Sequence, residues 1–105
     1  MQNINQEEFT KLAEDTEYVV LDVRSPQECA EGIIPGSMML NFLDPVAFQE
    51  GIGELDKSKK YLIYCRSGQR SGRACLMMDQ LGFADTYNLA GGMLDWTGPV
   101  TKPEL

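Results

Sequence analysis

At 105 residues, 43% of them apolar and 24% charged, the chain has the size and composition of one folded domain and not of a disordered or fibrous protein. Its net charge of −7 argues against a nucleic-acid partner, which would need a basic face to neutralise phosphates. No window holds the roughly 18 unbroken apolar residues of a membrane span, and MQNINQEEF lacks the basic region and apolar run of a secretory signal, so no membrane partner and a cytoplasmic location are expected.

A helix is predicted over Ile4–Asp15. Asn5 caps it, Glu8 is the box partner, and Ile4 with Phe9 occupy the positions of a hydrophobic staple. Tyr18–Asp22 is a short, continuous apolar run, the pattern of a strand covered on both faces, and Asp22, Val23 and Arg24 end it. Ser25, Pro26 and Glu28 then read as cap, first-turn proline and box partner of a short helix that Gly32 stops. A turn over Ile33–Gly36 leads to a second strand, Ser37–Asn41, and Asp44 with Pro45 open a further helix through Phe48.

The polar loop Asp56–Lys60 precedes a third buried strand, Tyr61–Tyr64, and a helix over Gly72–Leu81 whose Ala74, Met77, Met78 and Leu81 share one face. Thr86–Leu89 is the last strand, followed by Ala90, Gly91, Gly92 and a helical turn through Trp96, which divides itself between core and site wall. Strands that alternate with helices, each apolar throughout, predict a single α/β domain over 1–105 with a parallel sheet between helices on both faces. Residues 98–105, punctuated by proline, are expected to fray. In such sheets ligands bind outside the carboxyl ends of the strands. Asp22 and Arg24, Cys65 with its arginines, and Gly91 with Gly92 all fall there.

Cys29, Cys65 and Cys75 form an odd set without zinc spacing, and no histidine is available to complete a mixed site, so no metal and no cofactor are expected. All three read as free thiols in a reducing compartment. Cys75, inside a helix, and Cys29, on a short one, read as core residues. Cys65 differs, because it lies where a strand ends and a helix begins, in YCRSGQRSGR. Arg66, Arg70 and Arg73 give residues 65–73 a charge of +3 within a chain of −7, leaving −10 on the rest, which points to a small anion as ligand. Helix N-termini and guanidinium groups bring a cysteine pKa from about 8.5 to about 3.5–7.5, so Cys65 is expected to be a thiolate. Gly68 lets the loop curl into an anion nest, and Arg66 and Arg70 can present forked donors to a substrate oxyanion. Asp22 and Arg24 read equally as a structural ion pair or as a substrate contact.

Nearly the whole chain resembles the single-domain rhodaneses, a sulfurtransferase family, through LDVRSPQECAEGIIPGS at 21–37, YCRSGQRSGRA at 64–74 and the Leu-Ala-Gly-Gly…Trp pattern at 89–96. The resemblance implies a five-stranded, mostly parallel sheet with helices on both sides. It implies that Cys65 takes a sulfane sulfur as a persulfide within a loop formed with Arg66, Ser67, Gly68, Gln69 and Arg70, supported by Asp22, Arg24 and Ser71. The implied partners are a small anionic sulfur donor such as thiosulfate and a thiophilic acceptor such as cyanide, a thiol or a protein. Family members often carry a histidine where this chain has Ile33 and an aromatic where it has Cys29. Two other readings stand beside sulfur transfer: a cysteine phosphatase or arsenate reductase built on the same loop, and a module that carries sulfur or binds an anion without catalysis. The phosphatase loop has five residues between Cys and Arg, whereas four separate Cys65 from Arg70.

Overall fold

The computed structural model describes residues 1–104. The chain runs β1 (Gln2–Ile4), α1 (Gln6–Ala13), β2 (Tyr18–Asp22), α2 (Pro26–Ala30), β3 (Met38–Met39), α3 (Pro45–Gly53), β4 (Lys60–Tyr64), α4 (Gln69–Gln80), β5 (Asp85–Leu89) and α5 (Gly92–Asp95). The strands form one sheet in the order β1-β5-β4-β2-β3, and every neighbouring pair is parallel. β4 is central, and its side chains alternate between the two faces. Tyr61, Ile63 and Cys65 pack with Leu21 against Phe48 and Ile52 of α3 and Ala74 and Met78 of α4. Leu62 and Tyr64 face the other way, with Val20, against Phe9 of α1 and the partly buried Met93 and Trp96. The continuous apolar reading of β2 and β4 is thus the signature of a strand with helices above and below it.

Local chemistry sets the helix starts. Ser25 and Glu28 form a complete capping box, the Ser25 hydroxyl accepting from Glu28 N at 3.3 Å and Ser25 N donating to Glu28 Oε1 at 3.1 Å. At α1 the Asn5 side chain accepts from Glu8 N at 2.9 Å; this half of the expected box is the one that forms. Ile4 and Phe9 are both buried in one cluster, as a staple requires.

Four expectations change. Ile4, the first residue of the predicted first helix, belongs to a strand instead: β1 pairs with β5, Asn3 opposite Asn88, and the helix begins at Gln6. The second predicted strand shortens to Met38–Met39, because it lies at the sheet edge with both side chains exposed. α4 begins at Gln69, three residues early, since Gly68 at φ +91° serves as its N-cap. Its buried face is Ser71, Ala74, Cys75 and Met78, while Leu81 is 47% exposed at the C-cap.

The tail departs most from expectation. Thr97 N and Oγ1 both donate to Gln6 Oε1 at 2.9 Å, and Thr101 pairs with Ile33 through backbone bonds of 2.7 and 2.9 Å. Lys102 Nζ reaches the carbonyls of Ala30 and Glu31 at the end of α2. Residues 97–102 therefore form a strap across the turn at Gly32 rather than a frayed end.

The crossover from β2 to β3 is tied to β4 by one phenol. Tyr64 Oη accepts from Ile34 N at 3.1 Å and lies 2.9 Å from Ser37 Oγ, whose own proton goes to Ile34 O at 2.6 Å. Replacing Tyr64 with Phe orphans a buried backbone N–H, and a loss of about 1–3 kcal/mol in urea unfolding is expected.

Candidate active site

Cys65 follows the last residue of β4, and its side chain is fully buried. Sγ accepts from Gly68 N at 3.1 Å, Ser71 N at 3.4 Å and Ser71 Oγ at 3.3 Å. Burial opposes ionisation, but the Ser71 hydroxyl and the amides of Ser71, Ser67 and Gly68 outweigh it and lower the Cys65 pKa below its ordinary value. The loop turns inward at Gly68, where φ is +91° and any Cβ would strike the Ala90 carbonyl.

A loop whose N–H groups point in must turn carbonyls out. Here the first turn of α5 receives them: Met93 N donates to Cys65 O and Leu94 N to Arg66 O, both at 3.0 Å. Gly92, at φ +58°, sits so close beneath those carbonyls that a Cβ would collide with them. Gly92 is therefore a support for the loop, whereas Gly91 leaves room for the Asp95 side chain.

Asn88 was not among the candidate residues, although an amide next to the last residue of a predicted buried strand was the signal available. It is 4% exposed on β5, and its Nδ2 donates to Gly68 O at 3.1 Å and to Asn3 Oδ1 at 2.9 Å. Its Oδ1 accepts from Ser71 Oγ at 2.5 Å. The Ser71 hydroxyl thus faces both Asn88 and the Cys65 sulfur with a single proton.

The arginines are not equivalent. Arg70 places Nη1 and Nη2 on Glu28 Oε1 and Oε2 at 2.7 and 2.8 Å, so its fork is occupied and not open to a substrate, which corrects the expectation for that residue. Glu28 is held down to about 2 by the Arg70 hydrogen bonds, against a smaller opposing effect of burial, with Ser25 assisting; the same contact raises the Arg70 pKa. Arg24 grips buried Asp22 through Nε and Nη2 at 2.8–3.1 Å and donates to Gly32 O at 2.7 Å. This is the ion pair that one of the two readings expects, and Arg24 also lines a cavity beside the loop. Burial works against the Arg24 charge, but the Asp22 contacts prevail and push its pKa up.

Arg66, Ser67 and Gln69 are exposed on the loop. Arg66 enters none of the ion pairs among the described residues, and it rims a cavity of about 280 Å³ beside the loop. Sγ shows no surface, so contact with a substrate requires the groups above it to shift. Trp96 packs edge-on against Phe9 and donates to Pro99 O; it does not line this cavity. Cys29 and Cys75 are buried, and burial pushes each thiol up to about 12. Among the described residues no group of three or more His, Cys, Asp or Glu could hold a metal ion, and no helix is long and apolar enough to cross a membrane.

The model of the Rhodanese-like domain matches residues 5–99. The chain belongs to the rhodanese-like domain family. YtwF of Bacillus subtilis, a provisional sulfurtransferase, is 42% identical over 94 residues, which cover 90% of this chain and 86% of YtwF. A sulfurtransferase of Allochromatium vinosum is 38% identical over 106 residues, 96% of this chain and 95% of its own. The crystal structure of a rhodanese-like domain protein from Staphylococcus aureus superposes with a TM-score of 0.84 at 27% identity, covering 99% of this chain and all of the other.

Two results are expected from this rhodanese-like site. Ser71→Ala removes the hydroxyl donor to the thiolate, so the pH profile of Cys65 alkylation should move to higher pH. Glu28, depressed in the folded state to about 2 from an unfolded value of about 4.3, contributes stability that is complete above the unfolded value and lost as pH falls through the folded one. Urea midpoints of the wild type and Glu28→Gln should therefore differ at pH 7 and converge as the pH approaches 2.

Proposed function

We propose that this rhodanese-like sulfurtransferase takes a sulfane sulfur onto Cys65 as a persulfide and hands it to a thiophilic acceptor. The observation that carries the reading is the convergence of three donors from Gly68 and Ser71 on one sulfur, in a loop whose carbonyls are tied down behind it. The site stabilises an anion on sulfur and keeps doing so when the sulfur is extended by one atom. The Cys65 thiolate attacks the outer sulfur of thiosulfate; a new S–S bond forms as the old one breaks, and the electron pair leaves on sulfite. Cyanide or a thiolate then attacks the outer sulfur and releases the Cys65 thiolate. Neither leaving group needs a proton, so the absence of a histidine acid is no obstacle.

Arg66, Ser67, Gly68 and Gln69 form the substrate-facing part of the loop in this reading. Asp22, Arg24, Ser71 and Arg70 hold its shape. Three free thiols favour a reducing compartment such as the cytoplasm. The phosphatase reading is disfavoured by Arg70: a phosphate loop needs an open guanidinium fork, and here Glu28 fills it. Asp22, committed to Arg24, is no proton donor for an alkoxide either.

The test is an intact mass after incubation with thiosulfate. A gain of one sulfur atom, reversed by cyanide and absent in Cys65→Ser, is expected. Hydrolysis of an aryl phosphate without any gain in mass would sink the reading.

A further inference from the structure

The charges beside the loop cancel. Four ionisable residues line the 280 Å³ cavity: Arg24, Arg66, Glu28 and Glu31. Arg24 is spent on Asp22 and the Gly32 carbonyl, and Glu28 on Arg70. The other two, the cation Arg66 and the carboxylate Glu31, enter no ion pair among the described residues. A compact dianion such as thiosulfate finds no surplus positive charge there. The volume, about 280 Å³, holds roughly nine waters at about 30 Å³ each, far more than such an ion fills.

The rest of the wall is apolar. Met93 and Leu94 of α5 form one side, and Val100 of the strap forms another, with Leu94 60% and Val100 52% exposed. Both sides are fixed in place. Leu94 N holds the Arg66 carbonyl, and the strap is pinned on either side of Val100 by Thr97 on Gln6 and Thr101 on Ile33. Gly32 lets the strap close in, since a Cβ there would strike the Val100 side chain.

We propose that Leu94 and the strap residue Val100 form a specificity wall that selects a sulfur donor with an apolar organic body and a single anionic group, held by Arg66, over inorganic thiosulfate. This rests on the sulfur-transfer reading and names the donor class for it. For an organic thiosulfonate the step balances without a proton. The Cys65 thiolate bonds to the outer sulfur, the S–S bond of the donor breaks, its pair leaves on the sulfinate, and Cys65 retains the persulfide anion.

Two thiosulfonates separate body from charge: benzenethiosulfonate and methanethiosulfonate are both monoanions that expel a sulfinate. With cyanide as acceptor, thiocyanate release gives kcat/KM for each, and thiosulfate serves as the dianionic reference. The wild type should prefer benzenethiosulfonate over the methyl donor by about tenfold, the usual size of an apolar-pocket discrimination. Leu94→Ser with Val100→Ser should erase that preference while leaving the methyl donor within about twofold, since a rim residue touches the body and not the reacting sulfur. Both side chains are exposed, so the variants fold, and Val100→Ser alone should give an intermediate ratio. Equal loss on both thiosulfonates, no change on either, or a wild type that favours thiosulfate would overturn the wall while leaving sulfur transfer intact. Absence of thiocyanate and of any mass gain with all three donors would overturn both.

Discussion

Backbone polarity is the constraint on which the site depends. To aim several N–H groups at one sulfur, the loop from Cys65 to Ser71 must expose its carbonyls on the opposite side, where water is scarce. A buried carbonyl without a partner costs about 1–3 kcal/mol, so the loop stands only if other segments supply donors. Met93 and Leu94 supply two, and Gly72 and Asn88 share the Gly68 oxygen. Much of the downstream sequence follows from that need. Gly92 lets the first turn of α5 come close enough, β5 carries an amide where an aliphatic residue would otherwise sit, and β1 provides Asn3 to orient that amide.

A second consequence concerns charge. The three arginines of residues 65–73 suggest an electropositive pocket, yet the fold pairs one of them, Arg70, with Glu28. Glu28 serves α2 as the box partner of Ser25 and serves α4 as the clamp on Arg70, so one carboxylate couples a helix start to the loop. What favours the Cys65 thiolate is therefore short-range: amides, a hydroxyl and Gly68 at the N-cap of α4. Such stabilisation suits an anion that moves outward by one atom during transfer better than a distant guanidinium would.

The parts of the molecule that were legible in sequence are those specified within a few residues. β2 and β4 are apolar because both faces are covered; Ser25, Pro26 and Glu28 announce α2 within four positions; Gly68 marks the turn behind Cys65. The parts that were not legible are specified across the chain. β1 has one buried residue in three and exists because β5 offers it an edge. The Glu28–Arg70 pair spans 42 positions, and nothing near Arg70 signals that its fork is taken. The prolines of the tail suggest disorder, whereas Ile33 offers it a backbone partner that local composition does not register.

Both ends of the fold reach the thiol by way of other residues. Asn3 orients Asn88, which shares a proton with Ser71 over the sulfur, and Val100 closes the cavity from the opposite end of the chain. An affinity tag or a fused partner joined at either terminus therefore pulls on the site it is meant to leave alone. The exposed loop at Asp56–Lys60, which enters β4 at the end away from Cys65, is the neutral place for a label.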